Sequence, residues 1–173
     1  MPLKALLIGL GNIGAQIDLE KAALAPLTHL SALLENKNFE LIGAIDRQES
    51  ARQKTEQKYP QAPCAETIKA LELEKIDIAI VAAPPENRLE TLKDLIKLKP
   101  RLIVFEKPLA KSSKEGSEII NLCQSAKIKT IVNFHRRYDP DHQTFHQSLP
   151  KETPQGIIFH YTKGIWNYGS HAI

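Results

Sequence analysis

No apolar run in the sequence approaches the roughly 20 residues that a membrane-spanning helix needs. The N-terminus has none of the charged region, long apolar core and small-residue cleavage site of a secretory signal. Cysteine is scarce. Cys64 and Cys123 are the only two; they lie far apart and in no metal-ligand spacing, so they read as reduced thiols, with no disulfide framework and no metal centre. The net charge is only +3 and the lysines are dispersed. Without a basic stripe interleaved with aromatics, a nucleic-acid surface is not expected. No internal repeat or low-complexity tract stands out. These absences leave a cytosolic globular protein as the expectation. Its 173 residues, 42% hydrophobic and 25% charged, can bury one good core and part of a second.

What is present begins at Leu3. The strand-length apolar run Leu3–Ile8 passes directly into Gly9-Leu10-Gly11-Asn12-Ile13-Gly14. A strand followed at once by G-x-G-x-x-G reads as the start of a dinucleotide-binding βαβ unit. Gly9 permits the tight turn, Gly11 lets the backbone approach a pyrophosphate, and Gly14 lets the next helix pack on the sheet. The free N–H groups of that helix start, at Asn12, Ile13 and Gly14, would face the anion.

Beyond Gly14 the pattern departs from the usual one. Gln16 to Lys21 leads into an alanine-rich stretch and Pro26, which predicts an interruption near 16–27 and a second helical piece from Leu27 to Glu35. Phe39 to Asp46 reads as a buried strand ending in an acid. Asp46 stands about a dozen residues further from Gly14 than the usual spacing of about 20 residues, and an insertion at the interruption accounts for the difference. A carboxylate there accepts hydrogen bonds from a ribose 2′-OH and repels a 2′-phosphate, favouring NAD; Arg47 beside it keeps NADP open. A solvated turn aspartate is the alternative reading.

The rest alternates. Strands are expected near Cys64 and over Ile76–Ala83, Leu102–Phe105 and Thr130–Phe134. Helices are expected over 48–58, Thr67–Leu73 and Glu86–Leu98, and from Ser112 to about Ala126, where Ser112-Ser113-Lys114-Glu115 has the form of a capping box. This order predicts an α/β fold, a Rossmann-type doubly wound parallel sheet with helices on both faces. Gly9–Gly14, Asp46, Pro84, Lys107 and Asn133 all fall at strand ends and should share one rim, where ligands bind in such sheets. After 134 the texture changes to a polar stretch, a helix from Pro140 to Ser148, and a strand over Gly156–Tyr161. His142 and His146 are spaced i, i+4 but lack a third ligand, so a solvated helix face is favoured over zinc.

Four stretches in order carry a resemblance: Gly9–Gly14; Ala83-Pro84-Pro85-Glu86-Asn87-Arg88; Glu106-Lys107-Pro108; and Asn133-Phe134-His135-Arg136-Arg137-Tyr138-Asp139-Pro140. With Gly169-Ser170-His171 near the end, the sequence resembles the glucose–fructose oxidoreductase / inositol dehydrogenase / MocA-type oxidoreductase family. The resemblance implies an NAD(P)-dependent oxidoreductase of a sugar, cyclitol or sugar-nucleotide hydroxyl. Lys107 matches the family's active-site lysine, beside nicotinamide and substrate. His171 matches its general acid/base. The family's aspartate four residues earlier is Asn167 here, which can hydrogen-bond a hydroxyl but cannot act as a base. Ala83, Pro84, Arg88, Glu106 and Lys107 join Gly9, Gly11, Asn12, Ile13, Gly14, Asp46 and Arg47 as expected cofactor contacts, although the family often has histidine where Arg88 stands. Arg137 and Tyr138 match positions near the substrate and the domain junction.

The implied domains are 1–134, the dinucleotide-binding unit, and 135–173, a linker and the start of the family's α+β substrate and oligomerisation domain. Family members normally continue well beyond His171, whereas this sequence stops at Ile173. The expectation is therefore a truncated chain that binds dinucleotide but turns over a small sugar-like substrate poorly or not at all alone, with the usual oligomer interface missing. A non-catalytic dinucleotide-binding or regulatory remnant is the alternative.

Overall fold

Strand β1 (Leu3–Ile8) lies at the centre of a six-stranded, wholly parallel sheet in the computed structural model. The structure describes residues 1–20 and 26–149. The other strands are β2 (Phe39–Ile45), β3 (Cys64–Ala65), β4 (Ile78–Val81), β5 (Leu102–Glu106) and β6 (Lys129–Asn133), in the spatial order β3-β2-β1-β4-β5-β6. This is the doubly wound Rossmann order, and its switch point lies between β1 and β4. Every neighbouring pair is parallel.

The near-continuous apolar runs follow from burial on both faces. Successive strand side chains point to opposite sides. Leu6 and Ile8 of β1 join one core with Leu92 and Leu95 of α4 (Arg88–Lys97) and Ile119 and Cys123 of α5 (Ser113–Ser125). Ala5 and Leu7 join the other, with Leu30 and Leu33 of α2 (His29–Glu35) and Ala51 of α3 (Glu49–Lys58). Burial holds the thiols protonated: it pushes Cys64 up to about 11, and Cys123 also upward.

The glycine turn differs from expectation. The chain enters a helix at once, as a π-turn over Asn12–Gln16 that continues as α1 (Ile17–Glu20). Residues 16–20 are therefore helical, although the interruption is expected to begin there. Ala15 and Gln16 both donate backbone N–H to the Gly11 carbonyl, at 2.9 and 3.1 Å, and no proline falls within Asn12–Glu20 to remove a donor. Helix α2 opens with Thr28 as its cap, two residues later than the predicted segment. Asp18 anchors that opening. Its carboxylate is buried and accepts from the Thr28 amide (2.9 Å), the Thr28 hydroxyl (2.7 Å), the Leu27 amide and the Ser31 hydroxyl. Burial raises its pKa, but these bonds outweigh burial and hold it below the usual carboxylate value.

Only half of the predicted capping box at α5 forms. Ser112 Oγ accepts from the Glu115 amide at 3.2 Å, while the Glu115 carboxylate accepts from Lys111 instead of Ser112. The chain divides into two compact units, Met1–Phe134 and His135–Ile173. In the second, a 3-10 turn over His135–Tyr138 precedes α6 (Pro140–Ser148), whose N-cap Asp139 accepts from the amides of Asp141 and His142. The predicted strand over Gly156–Tyr161 lies outside the described residues.

Candidate active site

The carboxyl ends of the central strands are level. Ile8 pairs with Ile45 and with Val81, Val81 with Phe105, and Glu106 with Asn133. In-register parallel pairing thus brings the turns after β1, β2, β4, β5 and β6 to one rim, carrying Gly9–Gly14, Asp46, Pro84, Lys107 and Asn133.

Gly9 has φ +96°, and a β-carbon on it would meet the Ala83 nitrogen at 2.4 Å. It is required both by its left-handed backbone and by the close passage of the chain leaving β4. Gly14 is required by packing alone, since a β-carbon there would stand 2.0 Å from the Gly9 carbonyl oxygen. At Gly11 a β-carbon would meet nothing within 4 Å. Gly11, Asn12 and Ile13 are exposed, and the first-turn N–H groups of a helix lack intrahelical acceptors. Open space over an exposed, glycine-lined helix start fits a dinucleotide's pyrophosphate.

Asp46 closes the turn from the side. Its Oδ2 accepts from the Leu10 amide at 2.7 Å and its Oδ1 from the Gln48 amide at 2.8 Å. The carboxylate remains half-buried at the rim, and each oxygen keeps a lone pair for a ribose hydroxyl. Arg47 is exposed and meets Glu90 only at 3.5 Å, a surface pair of little energetic weight. Arg52, which sequence reasoning missed, donates to the Asp46 carbonyl at 2.7 Å and the Arg47 carbonyl at 3.1 Å, fixing the turn after β2.

Two residues expected to meet the cofactor brace the rim from beneath. Arg88, 2% exposed, donates to the Ala83 carbonyl (2.8 and 3.1 Å) and to the carbonyls of Glu106 and Pro108. One planar, five-donor guanidinium thus ties the end of β4 to the end of β5. Burial lowers its pKa, which the charge of Glu106 partly offsets. Glu106 is 6% exposed. Its Oε1 accepts from His29 Nε2 (2.9 Å) and Asn133 Nδ2 (2.6 Å), and its Oε2 from the Lys107 amide (3.2 Å). Burial pushes this carboxyl up, but the bonds from His29 and Asn133, with the histidine charge and the Lys107 amide, outweigh burial and bring it down to about 2. His29 was not singled out by sequence reading; a polar residue at the start of an amphipathic helix was the only signal.

Lys107 itself is exposed on the rim, as is Pro84, while Ala83 is partly buried. In the second unit, Arg137 lines an open hollow of ≈ 430 Å³ with Arg136, His142 and His146, and Tyr138 is exposed. His171 and Asn167 lie outside the described residues. Among the described residues no group of three or more His, Cys, Asp or Glu is arranged to hold a metal ion, and no helix is long and apolar enough to cross a membrane.

Solved structures with this fold include the MviM dehydrogenase of Clostridium difficile, with 26% identity, 86% of this chain covered and a TM-score of 0.69. Myo-inositol 2-dehydrogenase of Lactobacillus plantarum matches at 20% identity over 85% of this chain, TM-score 0.67. The WlbA dehydrogenase of Bordetella pertussis, solved with NADH and UDP-GlcNAcA, matches at 18% over 84%, TM-score 0.68. The chain spans 44%, 40% and 39% of these three proteins, respectively. At such identities the last two show the fold alone. No curated protein matches the sequence. The family model described as "Oxidoreductase family, NAD-binding Rossmann fold" matches residues 3–134. The chain therefore belongs to the glucose–fructose oxidoreductase / inositol dehydrogenase / MocA oxidoreductase family, and residues 3–134 are its NAD-binding Rossmann fold.

Proposed function

We infer that this chain is the cofactor-holding part of an NAD-dependent oxidoreductase acting on the hydroxyl of a sugar, cyclitol or sugar nucleotide. The observation that carries the reading is the common rim. Open space at Gly11 and a partly free Asp46 carboxylate lie on the same strand-end edge as Lys107. Gly11, Asn12, Ile13 and Gly14 would hold the pyrophosphate and Asp46 the adenosine ribose, with Ala83 and Pro84 lining the path towards the nicotinamide. When bound, the nicotinamide supplies hydride acceptance and donation at C4.

The chain's own residues do the rest. The Lys107 ammonium orients the substrate hydroxyl and stabilises developing alkoxide charge. His171 takes the hydroxyl proton during oxidation and returns it in reduction. Asn167 hydrogen-bonds the substrate without exchanging a proton, and Arg137 and Tyr138 contribute to the substrate side. The sugar-like substrate class draws on the solved dehydrogenases, one a myo-inositol dehydrogenase and another bound to UDP-GlcNAcA. The chain spans 44%, 40% and 39% of the three solved dehydrogenases.

Calorimetric titration with NADH and NADPH tests the cofactor reading, with NADH expected to bind more tightly. A panel of sugars, cyclitols and sugar nucleotides with NAD tests the rest. Absence of binding by either dinucleotide sinks the cofactor reading. Ordinary steady-state turnover by the 173-residue chain sinks the expectation of little activity.

A further inference from the structure

Glu106 is the most fully engaged acid on the rim, and one of its partners comes from an unexpected quarter. His29 opens α2, on the glycine-turn side of the chain, yet its Nε2 meets Glu106 Oε1 at 2.9 Å with the ring only 15% exposed. The same oxygen accepts from Asn133, and the other oxygen accepts from the Lys107 amide. An ionised carboxylate has no proton to give, so the nitrogen facing it must carry one. A neutral ring in this place is thereby the Nε2–H tautomer.

We propose that His29 is a positioning residue for Lys107, setting the Glu106 carboxylate on which the Lys107 backbone amide is seated. This role rests on the reading of Lys107 as the reactive lysine. The Nε2–H bond from His29 fixes one oxygen of the carboxylate, and the other oxygen is thereby presented to the Lys107 amide. Arg88, whose guanidinium holds the Glu106 carbonyl, is a charged neighbour of Glu106. Asn133 on β6 is neutral, and Asp18 of α1 engages the adjoining Thr28 and Ser31.

Nuclear magnetic resonance of the isotopically labelled chain tests this directly. The His29 ring nitrogens should show the Nε2–H tautomer. His29→Gln, which keeps a donor at this place, should leave Lys107 amide exchange within about threefold of wild type. His29→Ala should accelerate that exchange about tenfold, while amides of the β1–β4 ladder stay unchanged. An Nδ1–H tautomer, or wild-type exchange in His29→Ala, would each overturn the proposal. Should the variants fail to fold, the wild-type tautomer decides alone. NADH titration of the same sample separates the two readings, because failure to bind NADH removes the oxidoreductase reading and leaves the Lys107 amide measurement intact.

Discussion

The Leu10 amide donates to Asp46 Oδ2 at 2.7 Å, so the acid at the end of β2 holds the glycine turn at the end of β1. The residue proposed to recognise the ribose therefore also shapes the pyrophosphate loop. Asp46→Asn retains only one acceptor oxygen for the two backbone donors, Leu10 and Gln48, and turns an NH₂ group towards the other. We expect a stability loss of about 1 kcal/mol. NADH should bind more weakly and the preference for NADH over NADPH should shrink by about tenfold, since the charge opposing a 2′-phosphate is gone. Paired calorimetric titrations with the two dinucleotides check this, and an unchanged ratio would show that Asp46 only shapes the turn.

Gly14 and Gly11 separate cleanly under substitution by alanine. At Gly14 the new methyl meets the Gly9 carbonyl at 2.0 Å, a backbone atom that cannot swing aside. A loss of about 3 kcal/mol, or roughly 10 °C in Tm, is expected. Gly11 has an ordinary φ of −71° and free space around its missing β-carbon. Gly11→Ala should melt within about 2 °C of wild type yet bind NADH about tenfold more weakly, the methyl intruding where the pyrophosphate is held. Wild-type NADH affinity in Gly11→Ala would remove that position from the proposed site.

Arg88 offers a test of bracing against ligand contact. Arg88→Ala strands the carbonyls of Ala83, Glu106 and Pro108 beneath the rim, at a cost of about 3 kcal/mol in urea denaturation. Lysine keeps the charge but not the planar fork, so Arg88→Lys should recover less than about half of the loss. If Arg88→Ala instead weakens NADH binding with stability unchanged, the side chain acts on the ligand and not on the loop.

Much of this was legible in the sequence because it is encoded locally. The glycine spacing, the acid closing an apolar strand, and Glu106-Lys107-Pro108 after another strand are each short-range signals, and the strand ends they mark do share one rim. Ser112 was legible as a cap for the same reason. The polar pairs across the fold were not. His29 reaches Glu106, and Asp18 reaches Thr28 and Ser31, only because the tertiary fold brings them together. Nor was the bracing by Arg88, where the first turn of α4 tucks under the β4 and β5 ends and its guanidinium finds carbonyls. The expected interruption begins at Gln16, whereas residues 16–20 are helical, because no proline falls there to remove a backbone donor.

The Glu106 cluster predicts how stability responds to acid. In the folded protein this carboxyl is held at about 2, against an ordinary 4.5. As pH falls, the unfolded chain takes up the proton first. The stabilisation is therefore complete above the unfolded value and is lost as pH drops from about 4.5 towards 2. Its size is on the order of 2 kcal/mol, because the His29, Asn133 and Lys107 donors favour the ionised form inside a buried site. Glu106→Gln cannot ionise, and its NH₂ must face at least one of those donors. Urea denaturation at a series of pH values should show wild type more stable than Glu106→Gln at neutral pH by about that amount, with the gap closing through the acid window. A gap that persists unchanged down to pH 3 would mean that shape, and not the charge of Glu106, holds His29, Asn133 and the Lys107 amide together.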